Sequence, residues 1–205
     1  MEREMLAYAG YVVFFALLVG SVFAVPWLAF TSDMDAAYKA FSFTCHQKLS
    51  RSLCLFGGGS GYWIADCTPQ EGAFIPGASD RTAVKVVADS VTGYKMPVCS
   101  RDVGLYAVML LGGLVYPFVR RLDDGAMYPA VFLVLAIVPL GIDGSLQLVS
   151  ELGLLPFIYE STNIIRLATG AIAGFAAAFY AIPVLANLVS PAEAGPAAPA
   201  KRKNQ

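Results

Sequence analysis

The chain has 205 residues, of which 57% are hydrophobic and 14% are charged, and its formal net charge is -1. An ordinary soluble domain carries about a quarter charged residues, so the composition excludes a typical soluble protein and favours a membrane protein in contact with the lipid bilayer. Lys and Arg are scattered without forming a basic face, which argues against nucleic acid as a partner. The length suits one compact transmembrane domain, which we predict over residues 1–190.

Four apolar segments are long enough to cross a bilayer as helices. A span needs about 20 mostly apolar residues, because the hydrocarbon is about 30 Å thick and each helical residue rises about 1.5 Å. The sequence therefore predicts an all-α, polytopic transmembrane helix bundle with spans near residues 5–30, 103–119, 127–148 and 164–189. A signal peptide is the alternative for the first segment, but its apolar run is longer than such a peptide requires.

The segment 144–162 is less regular than the four spans. It is apolar in places but carries Glu151 and Glu160, and Pro156 interrupts it. We interpret it as a helical extension followed by a partly buried connection, because irregular backbone at membrane depth needs protein or water to satisfy it. A fifth span is the alternative.

Basic residues predict the orientation of the bundle. Arg120 and Arg121 directly follow the second span, and a Lys-Arg-Lys sequence lies at 201–203. Short cytoplasmic flanks are enriched in Lys and Arg, so both termini of this multi-pass chain are expected on the cytoplasmic side of the cell membrane. The loop 31–102 then faces outward. The Pro- and Ala-rich tail 191–205 is expected to be disordered, with its basic end near anionic lipid.

Polar side chains accompany the last two predicted spans. One set recurs every fourth residue and the other every third, so each would share a helix face: Asp143, Gln147 and Glu151 in the first set, and Glu160, Asn163, Arg166 and Thr169 in the second. Such groups are costly at membrane depth and suggest function. We predict Asp143, Gln147, Glu160 and Arg166 as catalytic residues, with Arg166 paired to Asp143, Glu151 or Glu160. A purely structural ion pair between helix ends is the alternative.

The predicted outward loop holds all four cysteines and the only histidine. Cys54 and Cys67 bracket a run of glycines, so they are predicted to form a disulfide on the oxidising side of the membrane. Four other side chains offer thiolate, imidazole and carboxylate ligands for a divalent metal such as zinc: Cys45, His46, Cys99 and Asp102. A second disulfide, between Cys45 and Cys99, is the alternative.

Four motifs occur in order along the chain. They are Phe43-Thr-Cys-His-Gln47 with Arg51-Ser52, Met96-Pro-Val-Cys-Ser-Arg-Asp-Val-Gly-Leu-Tyr106, Pro139-Leu-Gly-Ile-Asp-Gly-Ser-Leu-Gln147 and Glu160-Ser-Thr-Asn-Ile-Ile-Arg-Leu-Ala-Thr-Gly170. Together they resemble a family of prokaryotic membrane proteins known as domain of unknown function 2085. The resemblance covers most of the chain, and it implies no biochemical activity.

The second motif departs from the family pattern. Members typically resemble Cys-x-Arg-Cys there, whereas this chain has Asp102 in place of the second cysteine. An aspartate binds metals but cannot form a disulfide, so the substitution favours metal binding over dithiol redox chemistry. The resemblance implies that Arg101 and most of the candidate residues named above occupy characteristic family positions, which favours a functional site.

Three functions remain open from the sequence. The first is a metal-dependent enzyme with an outward-facing polar and thiol site, acting on a lipid or lipid-linked substrate. The second is a non-catalytic assembly or scaffold protein whose disulfide-stapled loop docks a membrane protein partner. The third, a transporter or channel, would require an oligomer, because four spans enclose little lumen and no inverted repeat is visible.

Overall fold

The computed structural model describes residues 2–45, 49–58, 61–67, 85–88 and 91–189. Within these ranges the chain forms five α-helices and four strands. The helices are α1 (Glu2–Leu28), α2 (Asp35–Phe41), α3 (Ser100–Val119), α4 (Ala130–Glu151) and α5 (Asn163–Val189). The strands are β1 (Leu53–Gly58), β2 (Gly61–Asp66), β3 (Lys85–Ala88) and β4 (Val91–Lys95). The predicted tail 191–205 lies outside the described residues.

Four of the helices are long and apolar enough to cross a membrane, which confirms the predicted helical bundle. They are α1, α3, α4 and α5, with 27, 20, 22 and 27 residues respectively. At about 1.5 Å per residue, even the shortest matches the roughly 30 Å of the hydrocarbon layer.

α4 ends in a turn at a glycine, and the alternative fifth span is not formed. α4 continues past Asp143 to Glu151, and Gly153 then adopts a left-handed φ of 70°. The amides of Gly153 and Leu154 donate to the carbonyls of Ser150 and Val149 at 3.0 and 3.1 Å. This pair of bonds is the Schellman motif, which satisfies the last carbonyls of a helix. Residues 152–162 contain no helix, so the described chain has four candidate spans.

Helices α3 and α5 make the most extensive contact in the bundle, and glycines allow it. A Cβ added to Gly104 would collide with the Leu167 carbonyl oxygen, and one added to Gly170 would collide with the Arg101 carbonyl oxygen. Gly174 repeats this close approach one turn further along α5. Small residues at a helix crossing let two backbones touch, which is a main source of helix association in membranes.

The apolar core lies between α1, α3 and α5. Tyr11 of α1 packs against Tyr116 of α3 and Phe179 of α5. The Tyr11 hydroxyl donates to the Met109 carbonyl at 3.0 Å, so its polar end is satisfied within the apolar surroundings. α4 packs mainly on α5 and leaves most of its apolar surface exposed.

The segment between α2 and α3 contains an antiparallel sheet that the sequence analysis did not predict. Its strand order is β2-β1-β4-β3, with β1 paired to both β2 and β4. Cys54 and Phe56 of β1 point into a small buried cluster with Cys67. Cys54 and Cys67 form the predicted disulfide. The Tyr38 hydroxyl of α2 donates to the Lys95 carbonyl of β4, which attaches α2 to the sheet.

Replacing Gly170 with Ala is expected to destabilise the protein, because the added methyl group meets the Arg101 carbonyl oxygen. Overpacking of this kind costs about 1–3 kcal/mol. Gly141→Ala in α4 is the matched control: no atom lies within 4 Å of its added methyl group, and Ala suits a helix better than Gly. Thermal unfolding in detergent measures both variants. Equal melting temperatures for Gly170→Ala and the wild type would contradict the close helix contact.

Candidate functional site

The polar residues meet at the end of the bundle that carries the sheet. The first turn of α3, the end of α4 and the first turn of α5 come together there. Ser100 donates to Asn163 at 2.7 Å, and Arg101 forms an ion pair with Asp143. Asn163 also donates to Asp66 at the end of β2, at 3.1 Å. These bonds join the sheet to three of the helices.

Cys45, Cys99 and Asp102 form a thiol–carboxylate cluster. Their ligand atoms all lie within 4.8 Å of one another. The Cys99 thiol donates to Asp102 Oδ2 at 3.2 Å, and the Cys99 amide donates to the Cys45 sulfur, also at 3.2 Å. Neither Cys45 nor Cys99 is part of a disulfide, so the alternative Cys45–Cys99 disulfide is not formed. The start of α3 supplies two of the three side chains, because Cys99 caps the helix and Asp102 lies in its first turn.

The surroundings of Cys99 favour its protonated thiol. The hydrogen bond with Cys45 raises the pKa of Cys99 well above its usual value, and burial and the Asp102 charge act in the same direction. A divalent cation would reverse this balance, because thiol ligands bind a metal as thiolates and release their protons. Two sulfurs and a carboxylate oxygen are suitable zinc ligands. The fourth predicted ligand, His46, lies outside the described residues.

Asp143 is buried in α4 and is held by donors from two other segments. Its side chain is 4% exposed. Oδ2 accepts a charged hydrogen bond from Arg101 Nη2, and Oδ1 accepts a hydrogen bond from the Tyr159 hydroxyl at 2.9 Å. The bond to Asp143 raises the pKa of Tyr159. Both carboxylate oxygens are therefore engaged.

The predicted ion pair between Arg166 and a nearby carboxylate is wrong for the described residues. Asp143 pairs with Arg101 from α3, and Glu151 pairs with Arg51 from the loop before β1. The physical reason is the close approach of α3 to α5, which brings Arg101 to Asp143. Periodicity along the chain would instead suggest Arg166 as the partner of Asp143.

Arg166 and Gln147 are both buried, and each keeps an unpartnered donor. Arg166 is 2% exposed and Gln147 is 3% exposed. Arg166 Nε donates to the Ser161 carbonyl at 3.0 Å, whereas its Nη2 atom has no hydrogen-bond partner among the described residues. Gln147 Nε2 also has no partner among them. These atoms could therefore bind a ligand.

Arg51, Arg101 and Arg166 form an arginine cluster. The Arg166 guanidinium lies within electrostatic range of the other two. Burial lowers the pKa of Arg51, and the charge of Glu160, which is itself exposed, opposes that shift. Cys99 acts electrostatically on both Arg51 and Arg166. The arginine cluster and the thiol–carboxylate cluster therefore occupy one region, together with the other predicted catalytic residues.

Comparison with known proteins supports the resemblance found in the sequence. Residues 90–180 match domain of unknown function 2085, described as a predicted membrane protein. The resemblance to this family is confirmed. An uncharacterized protein of Methanocaldococcus jannaschii is 27% identical over 183 residues, which cover 85% of this chain and 90% of that protein. No solved structure gives a significant match.

The region that matches domain of unknown function 2085 contains most of the site, but not all of it. Cys99, Arg101 and Asp143 lie within residues 90–180, whereas Cys45 and Arg51 precede that range. The segment before the matched region therefore contributes to both clusters.

Arg51 and Arg101 were not predicted as catalytic or metal-binding residues, although the resemblance includes Arg101 among the characteristic family positions and Arg51 beside the first motif. The cost of burying charge in a membrane singled out residues inside or beside the last two predicted spans, and both arginines lie in the predicted loop 31–102 instead. The position of Arg101 between Cys99 and Asp102 is the signal that could have identified it. Tyr159 carries no charge, so that criterion gave no signal for it.

Replacing Asp143 with Asn is expected to destabilise the protein strongly, because Arg101 loses its counter-charge in a mostly buried position. Removing one partner of a buried pair costs about 3–5 kcal/mol. Asp123→Asn is the control, because its pair with Arg121 is exposed and solvent-exposed pairs contribute little to stability. Thermal unfolding in detergent separates the two variants. Similar melting temperatures would show that the Arg101–Asp143 pair contributes little.

Proposed function

We propose that this protein is a metal-dependent membrane enzyme that acts on a lipid or lipid-linked substrate. The observation that carries the proposal is the proximity of two clusters at one end of the bundle. The thiol–carboxylate cluster suits a divalent metal, and the arginine cluster suits an anionic group. The first turn of α3 joins them, because Arg101 lies between Cys99 and Asp102 and pairs with Asp143.

An apolar groove beside the thiol–carboxylate cluster supports a lipid substrate. The groove has a volume of about 400 Å³ and is lined by residues of α1, α2 and α3, including Phe15 and Phe41. Thr44 and Tyr106 also line it. Thr44 precedes Cys45, and Tyr106 lies one turn after Asp102, so the groove ends next to the cluster. A hydrocarbon chain in the groove would place its head group at the candidate metal ligands.

The charges of the flanks support an outward-facing site. Arg120 and Arg121 lie at the opposite end of α3 from Cys99. Basic flanks favour the cytoplasmic side, so the sheet and the site would face outward, with both termini in the cytoplasm. The disulfide of the sheet suits the same oxidising side.

The polar residues have distinct roles in this proposal. Arg166 and Gln147 bind the anionic part of the substrate through their unpartnered donors. Asp143 positions Arg101, because both of its oxygens already accept hydrogen bonds. Glu160 is exposed and exchanges protons with water. A bound metal would supply a polarised substrate oxygen or an activated water.

Strand β2 favours docking of a membrane protein partner as a second function. Tyr62, Trp63 and Ile64 are exposed on this strand, which forms one edge of the sheet. Exposed edge strands are prone to pair with other chains. In that case the protein is a non-catalytic assembly or scaffold protein, and the disulfide-stapled sheet is its docking surface.

Elemental analysis of the protein purified in detergent tests the proposal against this alternative. We expect about one zinc or similar ion per chain, because the cluster offers three protein ligands. The ion should be lost in Cys99→Ala and in Cys45→Ala. The double variant Cys54→Ala/Cys67→Ala is the control and should keep it, because these cysteines are already joined to each other.

Free-thiol counting under denaturing, non-reducing conditions, with a chelator present, completes this experiment. Cys45 and Cys99 should both react. No metal together with no free thiols would contradict the proposed enzyme and would leave the docking function as the better explanation.

A further inference from the structure

Four buried nitrogen donors at the polar end of the bundle have no hydrogen-bond partner in the part of the chain that the structure describes. They are Arg51 Nε, Arg101 Nε, Gln147 Nε2 and Arg166 Nη2. Buried donors almost always have a partner, because an unpartnered donor has lost the hydrogen bond that it makes in water. All four are donors, so the group that satisfies them must be rich in acceptors.

The arginines of the same region are not all paired. Arg101 pairs with Asp143 and Arg51 pairs with Glu151, but Arg166 has no carboxylate within ion-pair distance among the described residues. Arg166 is almost fully buried, and a guanidinium keeps its charge in proteins. Water could satisfy the unpartnered donors but could not neutralise this charge. An anion does both.

We infer that the arginine cluster and Gln147 bind the phosphoryl group of a lipid head group. Arginine presents a planar fork of donors that matches phosphate oxygens, and the tetrahedral oxygens of a phosphoryl group can accept hydrogen bonds from side chains on several sides, whereas the two oxygens of a carboxylate lie in one plane. A phosphoryl group has enough oxygens for all four. This inference deepens the proposed function, and it rests on that function because it assumes that a lipid substrate binds in this region.

The depth of the cluster favours a lipid over free phosphate as the source of the phosphoryl group. Arg166 lies in the first turn of α5, and Gln147 lies one turn before the end of α4. Lipid head groups lie at this depth of a spanning helix. The apolar groove described above lies beside the same end of α3 and accommodates a hydrocarbon chain.

Native mass spectrometry of the protein in a maltoside detergent and a phosphate-free buffer tests the inference. The probes are dioleoyl phosphatidic acid and dioleoylglycerol, which has the same chains without the phosphoryl group. We expect phosphatidic acid to bind at least about tenfold more tightly, because charged hydrogen bonds are lost with the phosphoryl group. Equal retention of the two lipids would overturn the inference.

Variants of Arg51 test the role of the arginines, since Arg51 lies outside the spans and its replacement leaves the glycine contacts between α3 and α5 untouched. Arg51→Gln is expected to weaken phosphatidic acid binding by at least about tenfold, and Arg51→Lys by less, because lysine keeps the charge without the fork. Arg121→Gln removes the same charge from an exposed position at the other end of α3 and should not alter binding. Unchanged affinity in Arg51→Gln would overturn the inference.

Two further arms separate the possible sources and sites of the phosphoryl group. Inorganic phosphate should displace bound phosphatidic acid only at far higher concentration, and displacement at equal concentration would overturn the assignment to a lipid. Cys99→Ala, which is expected to lose the metal, should still bind phosphatidic acid. If it binds none while Arg51→Gln binds normally, the phosphoryl group sits on the metal, which overturns the inference and leaves the proposed function standing.

Discussion

The close contact of α3 with α5 is the constraint on which the rest of the structure depends. Gly170 lies against the carbonyl oxygen of Arg101, so no larger residue fits at this point without moving a helix. The contact therefore places the first turn of α3 beside the first turn of α5. Arg101 and Arg166 come together for this reason, although each is a charged residue that would separate from the other in water.

Two positive charges held together in this way require negative partners, and the structure supplies them unequally. Asp143 of α4 neutralises Arg101 and is fixed in turn by Tyr159. Arg166 has no equivalent partner within the described chain, and its Nη2 atom is unsatisfied there, as are single donors of Arg51, Arg101 and Gln147. Natural proteins keep such costly arrangements mainly at functional sites. The thiol–carboxylate cluster begins at the same turn of α3, so a metal and an anion would be neighbours.

Much of the fold could be predicted because it depends on local properties of the chain. Apolar length identified the four spans, and the cost of buried charge identified Asp143 and Arg166. The pairing of Asp143 could not be predicted, because its partner comes from another helix and depends on the close contact of α3 with α5. The sheet was missed because its strands are short and glycine-rich and lie in a loop without a clear alternating pattern. The Cys54–Cys67 disulfide was found because these cysteines are close in sequence.

The most direct test of a single site that holds both a metal and a phosphoryl group is phosphorus NMR relaxation. Dioleoyl phosphatidic acid would be bound to the protein loaded with paramagnetic cobalt(II), and in parallel to the protein loaded with zinc. If the two clusters form one site, cobalt broadens the resonance of the bound phosphoryl group and zinc does not. Identical relaxation with the two metals would show that the metal and the lipid phosphate are far apart, which would contradict a shared site.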